Sequence, residues 1–522
     1  MNPRKTLLVV AVLSALALTA FPAKAQPAPM TGKISPALGP PKAPPCMGAG
    51  AAQEDARRPT PVQLVSPARQ KQRLDNLRAV NYYPAHHPWA YMWSQWDPRQ
   101  IDADFGKIAA LHANSVRLIL QAATIGYPTP YPSQLKHIAQ ALSLAQKHHL
   151  TVELTLFDWW SSYTDIKGSK QWVCAVVGPY SGDRRIAFIE LHNEIDTTQR
   201  GAVNWVKAMI PYLRSVDGGI PVDVSAFRFQ DLQTLARVGH ADFYSFHLIA
   251  GVEGASATLL RAERLVAPAP LYVGEVGTST LLRWAPGHGC GALSCSESVQ
   301  EENFRIVAYA AKALGLPPVV PWTLTDFAPH TLTWHPPDTE YDYGLYRVNG
   351  APKPVAATVA TYFATGKISQ SFNNGFETPA GKAPAVWGEY HGWQAKFAWD
   401  PTVAHTGRAS GRISHSTSDP TGGPAFFLSP VNAGVVPGRV YTLTAWARGL
   451  HATGETRIAM AWFDANGNYV GQIQSSTLAH GTTGWTQLSA SAAAPKGAAY
   501  VQLHLKSFNN TGTAWFDDVR YT

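Results

Sequence analysis

Ile186-Ala187-Phe188-Ile189-Glu190-Leu191-His192-Asn193-Glu194 and Leu271-Tyr272-Val273-Gly274-Glu275 are the two stretches on which the fold of this chain turns. Each is an apolar run of strand length with a carboxylate at its C-terminal end. The first also sets an Asn directly before its Glu. At the ends of two parallel strands, two carboxylates can face each other across one pocket. One can then protonate a leaving oxygen while the other attacks an anomeric carbon. That pair is the minimum equipment for breaking a glycosidic bond with retention.

Working outward, short apolar runs alternate with helical segments from about residue 72 to 366. Strands are expected at Ala79 to Tyr83, Ser115 to Leu120, Thr151 to Phe157, Ile186 to Leu191, Val222 to Ala226, Phe243 to His247, Leu271 to Gly274 and Val319 to Thr323. Between them, Leu135, Ile138, Ala139, Leu142 and Ala145 recur at helical spacing, as do Val203, Val206, Ile210 and Leu213. The alternation predicts an α/β fold, a (β/α)8 TIM barrel. In such a barrel the C-terminal strand ends carry the active site, and Glu194 and Glu275 would follow strands four and seven.

The flanking segments differ in texture. Residues 1–25 have a basic start, an apolar run from Leu7 and a small-x-small end at Ala23-Lys24-Ala25, which reads as a signal peptide and predicts a secreted or periplasmic protein. Residues 26–71 form a Pro/Ala-rich tether. From about 370 to 522, turn signals such as Asn373-Asn374-Gly375 separate short alternating strands, predicting an all-β jelly-roll sandwich.

Composition narrows the function. The 522 residues carry a formal charge of +8, but Lys and Arg are scattered, which argues against a nucleic-acid surface. No later segment is long and apolar enough to span a bilayer, so no membrane partner is expected after signal cleavage. The 4 cysteines suggest disulfides, with Cys290 and Cys295 closing a local loop and Cys46 left for Cys174. The 17 Trp are many, and Trp faces stack on sugar rings. Trp89, Trp93 and Trp96 crowd the loop after strand one, and Trp159 and Trp160 the loop after strand three. Such platforms predict a polymeric substrate. Softer candidates at the mouth are His86, His87, Asp326 and His330.

With these residues in view, the barrel resembles clan A glycoside hydrolases, the group that includes family 5 cellulases and mannanases. The likeness spans about 72 to 366. It rests on Val80-Asn81-Tyr82-Tyr83-Pro84, Ser115-Val116-Arg117-Leu118, Asn193-Glu194, His247, Glu275 and Trp322. It implies that Glu194 is the general acid and then base, and Glu275 the nucleophile. It implies further that Asn193 bonds the sugar 2-hydroxyl, that Arg117 holds Glu275 ionised, and that Trp322 floors the subsite. His247, His86 and Trp159 complete the expected substrate contacts. Three departures stand out. Ile195 follows the acid where the family usually has Pro. Ile249 stands where it often has a Tyr that bonds the nucleophile; Tyr244 is the nearby substitute, but a regular strand points it to the other face. Asp158-Trp159-Trp160 follows strand three without a His.

The C-terminal region is similar to jelly-roll carbohydrate-binding modules, through Ser371-Phe372-Asn373-Asn374-Gly375-Phe376-Glu377, Thr406 to Arg412, Tyr441 to Trp446, Gly484-Trp485 and Trp515 to Val519. That likeness implies one structural calcium on Glu377 and Asp517 or Asp518. Trp387, Trp393 and Trp399 are candidate glycan platforms, whereas Trp446 and Trp485 are expected inside the sandwich.

Taken together, the residues predict a monomeric, secreted, retaining β-glycoside hydrolase that cuts a polysaccharide internally and needs no catalytic cofactor. An exo-glycosidase or transglycosylase on the same scaffold, and a non-catalytic glycan-binding protein, remain the alternatives.

Overall fold

A computed structural model describes residues 65–249, 255–280, 296–332, 338–368, 372–390, 395–415, 424–429, 433–464 and 467–522. The expected signal peptide, most of the tether, Cys46, Cys290, Cys295 and Trp393 lie outside these. The described residues belong to two compact units.

The first unit is a (β/α)8 barrel. Strands β1 (Ala79–Asn81), β2 (Ser115–Ile119), β3 (Thr151–Phe157), β4 (Ile186–His192) and β5 (Val222–Asp223) form one parallel sheet in chain order. Strands β6 (Ser225–Ala226), β7 (Tyr244–Leu248) and β8 (Leu271–Val276) form a second, also parallel. Only Val224 separates β5 from β6, so these two short strands share the fifth barrel position. The extended segment 319–323 closes the ring. It bonds β8 through Val320 N to Val273 O (3.1 Å) and β1 through Asn81 N to Pro321 O (3.1 Å). All eight expected strand positions are therefore filled, the eighth by this segment.

The helices follow the expected pattern. The helix Pro132–Lys147 starts with Pro in its first turn and buries Ile138, Ala141, Leu142 and Ala145. That i, i+3, i+4, i+7 stripe is what an outer-ring helix needs against β3. Among the described residues no helix is long and apolar enough to cross a membrane.

The barrel interior is layered. Ala79, Phe188, Phe243, Tyr272 and Val320 plug its lower part. Above them the inward positions turn polar: Asn81, Arg117, Glu153, Glu190 and Asp223 are all buried. Tyr272 links the layers by donating to Glu153 (2.8 Å).

Both acid-bearing strands break register. Along β8, Val273 pairs with Phe246 but Glu275 pairs with His247, so Gly274 is an extra residue. Tyr272 points inward, and strict alternation would turn Glu275 outward. The bulge at Gly274 reverses the parity and brings Glu275 inside. A Cβ at Gly274 would lie 3.1 Å from His247 Nε2, so a glycine fits this close approach. Between β3 and β4 a similar shift falls at Ala187.

The second unit is a sandwich of two antiparallel sheets. One runs β11 (Gly388–Tyr390), β14 (Pro424–Leu428), β20 (Tyr500–Phe508), β17 (Glu455–Phe463), β18 (Tyr469–Gln474), with β15 (Ala433–Gly434) also on β20. The other runs β12 (Ala395–Asp400), β13 (Ser410–His415), β21 (Thr513–Tyr521), β16 (Val440–Leu450), β19 (Thr486–Ala493). The short strands β9 (Pro379–Ala380) and β10 (Ala383–Pro384) pair beside them. Phe427, Leu443, Ile458, Met460, Leu505 and Phe516 meet in the core between the sheets. Trp387 joins that core, stacked on Phe376, so it packs the sandwich rather than forming a platform. Trp446 is the reverse case. Strand β16 sends Tyr441, Leu443, Ala445 and Ala447 inward, which leaves Trp446 on the outer face, stacked on His405 at 3.9 Å. Trp485 is likewise half-buried, edge-on to His405 at 5.7 Å.

Candidate active site

Arg117 is the hub of the barrel mouth. It reaches from β2 and is 1% exposed. Its Nη1 donates to Glu275 (2.6 Å) and Asn81 (2.9 Å), its Nε to Glu190 (2.8 Å) and Thr155 (3.0 Å), and its Nη2 to Asn193 (2.8 Å). A planar guanidinium with five N–H groups can serve this many acceptors at once; a lysine cannot.

Glu194 follows β4 with its backbone at φ 46, an uncommon region for a residue with a Cβ. Ser225 at the fifth barrel position accepts from its N–H (2.8 Å) and holds that turn. Glu194 then meets His247 Nδ1 at 2.9 Å, and Glu275 lies 3.4 Å from the same nitrogen. Glu194, His247 and Glu275 each present a ligand atom, all within 4.8 Å of one another. The Glu194 side chain is 19% exposed and that of Glu275 is 7% exposed. The acid at the rim thus meets solvent while the one below does not.

The electrostatics follow from this packing. Burial pushes the Glu275 carboxyl up, His247 and Arg117 pull it down, Glu194 pushes it up again, and the net shift is upward. Arg117 therefore favours the ionised form but does not outweigh desolvation. Burial disfavours charge on His247 too, yet Glu275 and Glu194 together hold the imidazole above its ordinary range. Glu190 is also desolvated, but Arg117 and His247 bring it below the usual carboxylate range. Glu153, deeper in the barrel, is pushed to about 8, chiefly by burial.

Asn193 is fixed at both ends of its amide. Its oxygen accepts from Arg117, and its Nδ2 donates to Asp158 (2.9 Å). Asp158 in turn accepts from Gln121 (2.9 Å). Among the described residues, no hydrogen bond takes the second Asn193 N–H. Trp322 is 7% exposed and packs edge-on against Trp89 (5.8 Å) and Tyr83 (6.2 Å). Trp89 stacks with half-buried Trp159 at 6.2 Å. His86 is exposed just beyond β1 and His87 is half-buried.

Other expected mouth residues lie elsewhere. Trp93 is fully buried and donates to Ile119 O (2.9 Å), while Trp96 stacks on His137 of the helix Pro132–Lys147 (4.8 Å). These two serve the helical shell. Trp160 packs on Tyr127 (4.2 Å) and Phe157 (5.5 Å). Asp326 accepts from Lys353 Nζ (2.7 Å) and Gly344 N (2.8 Å), so it is a buried ion-pair partner. Tyr244 is buried on β7, and no hydrogen bond joins it to Glu275 among the described residues. Sequence reasoning missed Glu190, Asn81 and Ser225. Glu190 lay within the opening stretch, four residues before Glu194, and a carboxylate inside an apolar strand was its signal.

In the sandwich, Asp517 accepts from the N–H groups of His405 (2.7 Å) and Thr406 (3.2 Å), and Glu377 from that of Arg408 (3.0 Å). Burial lifts the Asp517 carboxyl to about 6, with Asp518 adding repulsion. A Cβ at Gly375 would lie 3.8 Å from Glu377 and 3.9 Å from both Asp517 and Asp518. Two carboxylate oxygens thus lie near this glycine, Oδ1 of Asp517 and of Asp518, while it is Cγ of Glu377 that approaches it and the Glu377 carboxylate faces Gly407 and Arg408 N.

A (β/α)8 barrel with a close carboxylate pair at its mouth is the class that this fold and site define. No family model matches the chain, and no curated protein matches it. Solved structures do align. A GH5_18 variant from Streptomyces cattleya in complex with Manβ1-4GlcNAc aligns at 17% identity, over 59% of this chain and 83% of that one, with a TM-score of 0.47. The exo-beta-1,4-mannosidase Op5Man5 from Opitutaceae bacterium strain TAV5 aligns at 16% identity, over 55% and 59%, with a TM-score of 0.45. A GH2 beta-galacturonidase from Eisenbergiella tayi aligns at 15% identity, over 56% and 52%, with a TM-score of 0.44.

Proposed function

We propose that the barrel is a retaining glycoside hydrolase that cleaves β-glycosidic bonds inside a polysaccharide, in a secreted protein. One observation carries this. Glu194 and Glu275 present oxygens within 4.8 Å of each other, with Arg117 and His247 beside them. Retaining enzymes hold their carboxyl groups roughly 5 Å apart, while inverting ones need roughly 6.5–9.5 Å to admit a water.

Each side chain then has a role. Glu275 attacks C1 as the aglycone oxygen takes the proton of Glu194. The C1–oxygen bond breaks and a glycosyl ester forms on Glu275. Glu194, now a carboxylate, takes a proton from water. That water attacks C1 and releases Glu275. Arg117 and His247 draw the nucleophile toward its charged form, against the burial that opposes it more strongly. The free N–H of Asn193 meets the sugar 2-hydroxyl, a bond that strengthens as positive charge grows at C1. Trp322 lies under the reacting sugar. Trp89 stacks with Trp159 at 6.2 Å, and such ring faces suit a chain of several sugars and internal cutting. A structural calcium in the sandwich, on Glu377 and Asp517 or Asp518, is part of the same reading.

Reducing-end release from a panel of soluble polysaccharides tests this. Wild-type protein should act on at least one polymer and yield oligomers early. Glu275→Ala and Glu194→Gln should each lose nearly all turnover while keeping their fold. Turnover near wild type in either variant rejects the assignment.

A further inference from the structure

The polar cluster at the C-terminal ends of β2, β3 and β4 contains one carboxyl group that the chemistry above leaves without a role. Asp158 directly follows β3. Phe157 packs on Trp172 and Trp205 of the helices Ile166–Val177 and Ala202–Val216, at 4.7 and 5.0 Å, so the next side chain turns toward the barrel axis. Asp158 is 4% exposed. A carboxyl this buried ordinarily has a cation beside it. Here each oxygen accepts from a neutral amide instead: Oδ1 from Asn193 Nδ2 and Oδ2 from Gln121 Nε2, both at 2.9 Å.

What Asp158 fixes is the plane of the Asn193 amide. The torsion that swings a terminal amide about its Cβ–Cγ bond is soft. Arg117 Nη2 anchors the amide oxygen at 2.8 Å, and one such anchor leaves that swing open. A second anchor at the nitrogen closes it. Both hydrogens of that nitrogen lie in the amide plane at a fixed angle, so once Asp158 takes one, the direction of the other is set. The backbone keeps the two side chains in register. Asn193 N donates to Phe157 O (3.1 Å) and Asp158 N to Leu120 O (3.1 Å), which ties the three strand ends in series.

Asp158 is itself held. Gln121 Nε2 also donates to the Tyr83 hydroxyl (2.9 Å), and Tyr83 is fully buried with its ring stacked on Trp89 at 5.0 Å. The series Tyr83, Gln121, Asp158, Asn193 therefore runs from the end of β1 to the end of β4. With both oxygens taken and little surface open to solvent, Asp158 is placed to act through Asn193 rather than on a ligand directly.

We propose that Asp158 is a positioning residue, which aims the second Asn193 N–H at the sugar 2-hydroxyl. This role rests on the reading of the barrel as a retaining hydrolase, and it extends that reading to a residue beyond the acids and their immediate neighbours. The bond it aims strengthens as positive charge grows at C1. An interaction that counts mainly in the transition state lowers kcat and kcat/KM together and leaves KM in place.

The test uses the full chain and the polysaccharide that wild type cleaves best by reducing-end release. Asp158→Leu, similar in shape but without an acceptor, should lower kcat about tenfold, the weight of one well-placed hydrogen bond, with KM within about twofold of wild type. Asp158→Asn should rescue. Its amide can keep its oxygen on Asn193 and give its nitrogen to Gln121, whose own amide reverses to accept from it and from Tyr83. That variant should stay within about threefold of wild type. A second arm removes the hydroxyl instead of the carboxyl. On 2,4-dinitrophenyl β-glycosides, Asp158→Leu should lose about tenfold when the sugar bears a 2-hydroxyl and less than about twofold when it is 2-deoxy. Asp158→Ala serves both arms if Asp158→Leu does not fold. Wild type that cleaves no polymer rejects the hydrolase reading and this role with it. With wild type active, an equal loss on 2-hydroxy and 2-deoxy substrates, a loss confined to KM, or Asp158→Asn as impaired as Asp158→Leu overturns the positioning role alone.

Discussion

Replacing Arg117 by Gln tests the electrostatic core of the site. One guanidinium neutralises two buried carboxylates, Glu275 at 2.6 Å and Glu190 at 2.7 Å. Removing one partner of a buried pair costs roughly 3–5 kcal/mol, because a charge is left without compensation. Both pairs share the same cation, so the two losses do not simply add. A figure of about 4 kcal/mol, at roughly 2–4 °C per kcal/mol, lowers the barrel melting temperature by about 10 °C. The sign with pH follows from Glu190. Its folded carboxyl lies below the usual range, so the stability it contributes is full above the unfolded value and lost as pH falls through the folded one. In the variant, acid protonates Glu190 and Glu275 and removes the unpaired charges. Scanning calorimetry at about pH 7 and about pH 4 should therefore show a large deficit that shrinks on acidification. Arg117→Lys should lie between, since one ammonium cannot serve both acids. Melting within about 2 °C of wild type at neutral pH, or a deficit that grows in acid, refutes the reasoning.

Three further outcomes follow from the same geometry. His247→Gln keeps a donor to Glu194 but removes the charge that pulls Glu275 down, so the acidic limb of the kcat/KM profile should move to higher pH. Trp159→Ala should raise KM for a polymer with little change in melting, whereas Trp93→Ala, in the fully buried shell, should cost about 3–5 kcal/mol of stability. Chelation should lower the melting of the sandwich, by about 2.7 kcal/mol if calcium had stood at a hundredfold its Kd, and should leave turnover unchanged.

Glu194 and Glu275 were legible because apolar strands of the right length end at each of them. The eight strand positions were legible for the same reason, since period and length do not depend on distant contacts. What was hidden depends on register. Glu275 faces the barrel interior only because Gly274 is an extra residue against Phe246 and His247. Nothing in Leu271 to Glu275 announces that shift beyond the glycine itself. The loop tryptophans were over-assigned because adjacency in the chain says nothing about orientation. Trp93 turns to Ile119 of β2 and Trp96 to the helix Pro132–Lys147, whereas Trp89 and Trp159 stack on each other. Asp326 was read as a sugar contact because its partner, Lys353, is 27 residues away in sequence. In the sandwich, strict alternation along β16 was sufficient to place Trp446 outside, had its inward parity been set by Leu443 rather than by a preference for burying Trp.

The stereochemistry of the first product is the most direct test of the whole account. Proton NMR of a fresh digest, recorded before the sugar at the new reducing end mutarotates, reads the anomeric configuration at the cut bond. Two acids near enough for direct attack must release the β-anomer. Initial release of the α-anomer would mean that a water, not Glu275, strikes the anomeric carbon, and would contradict the mechanism.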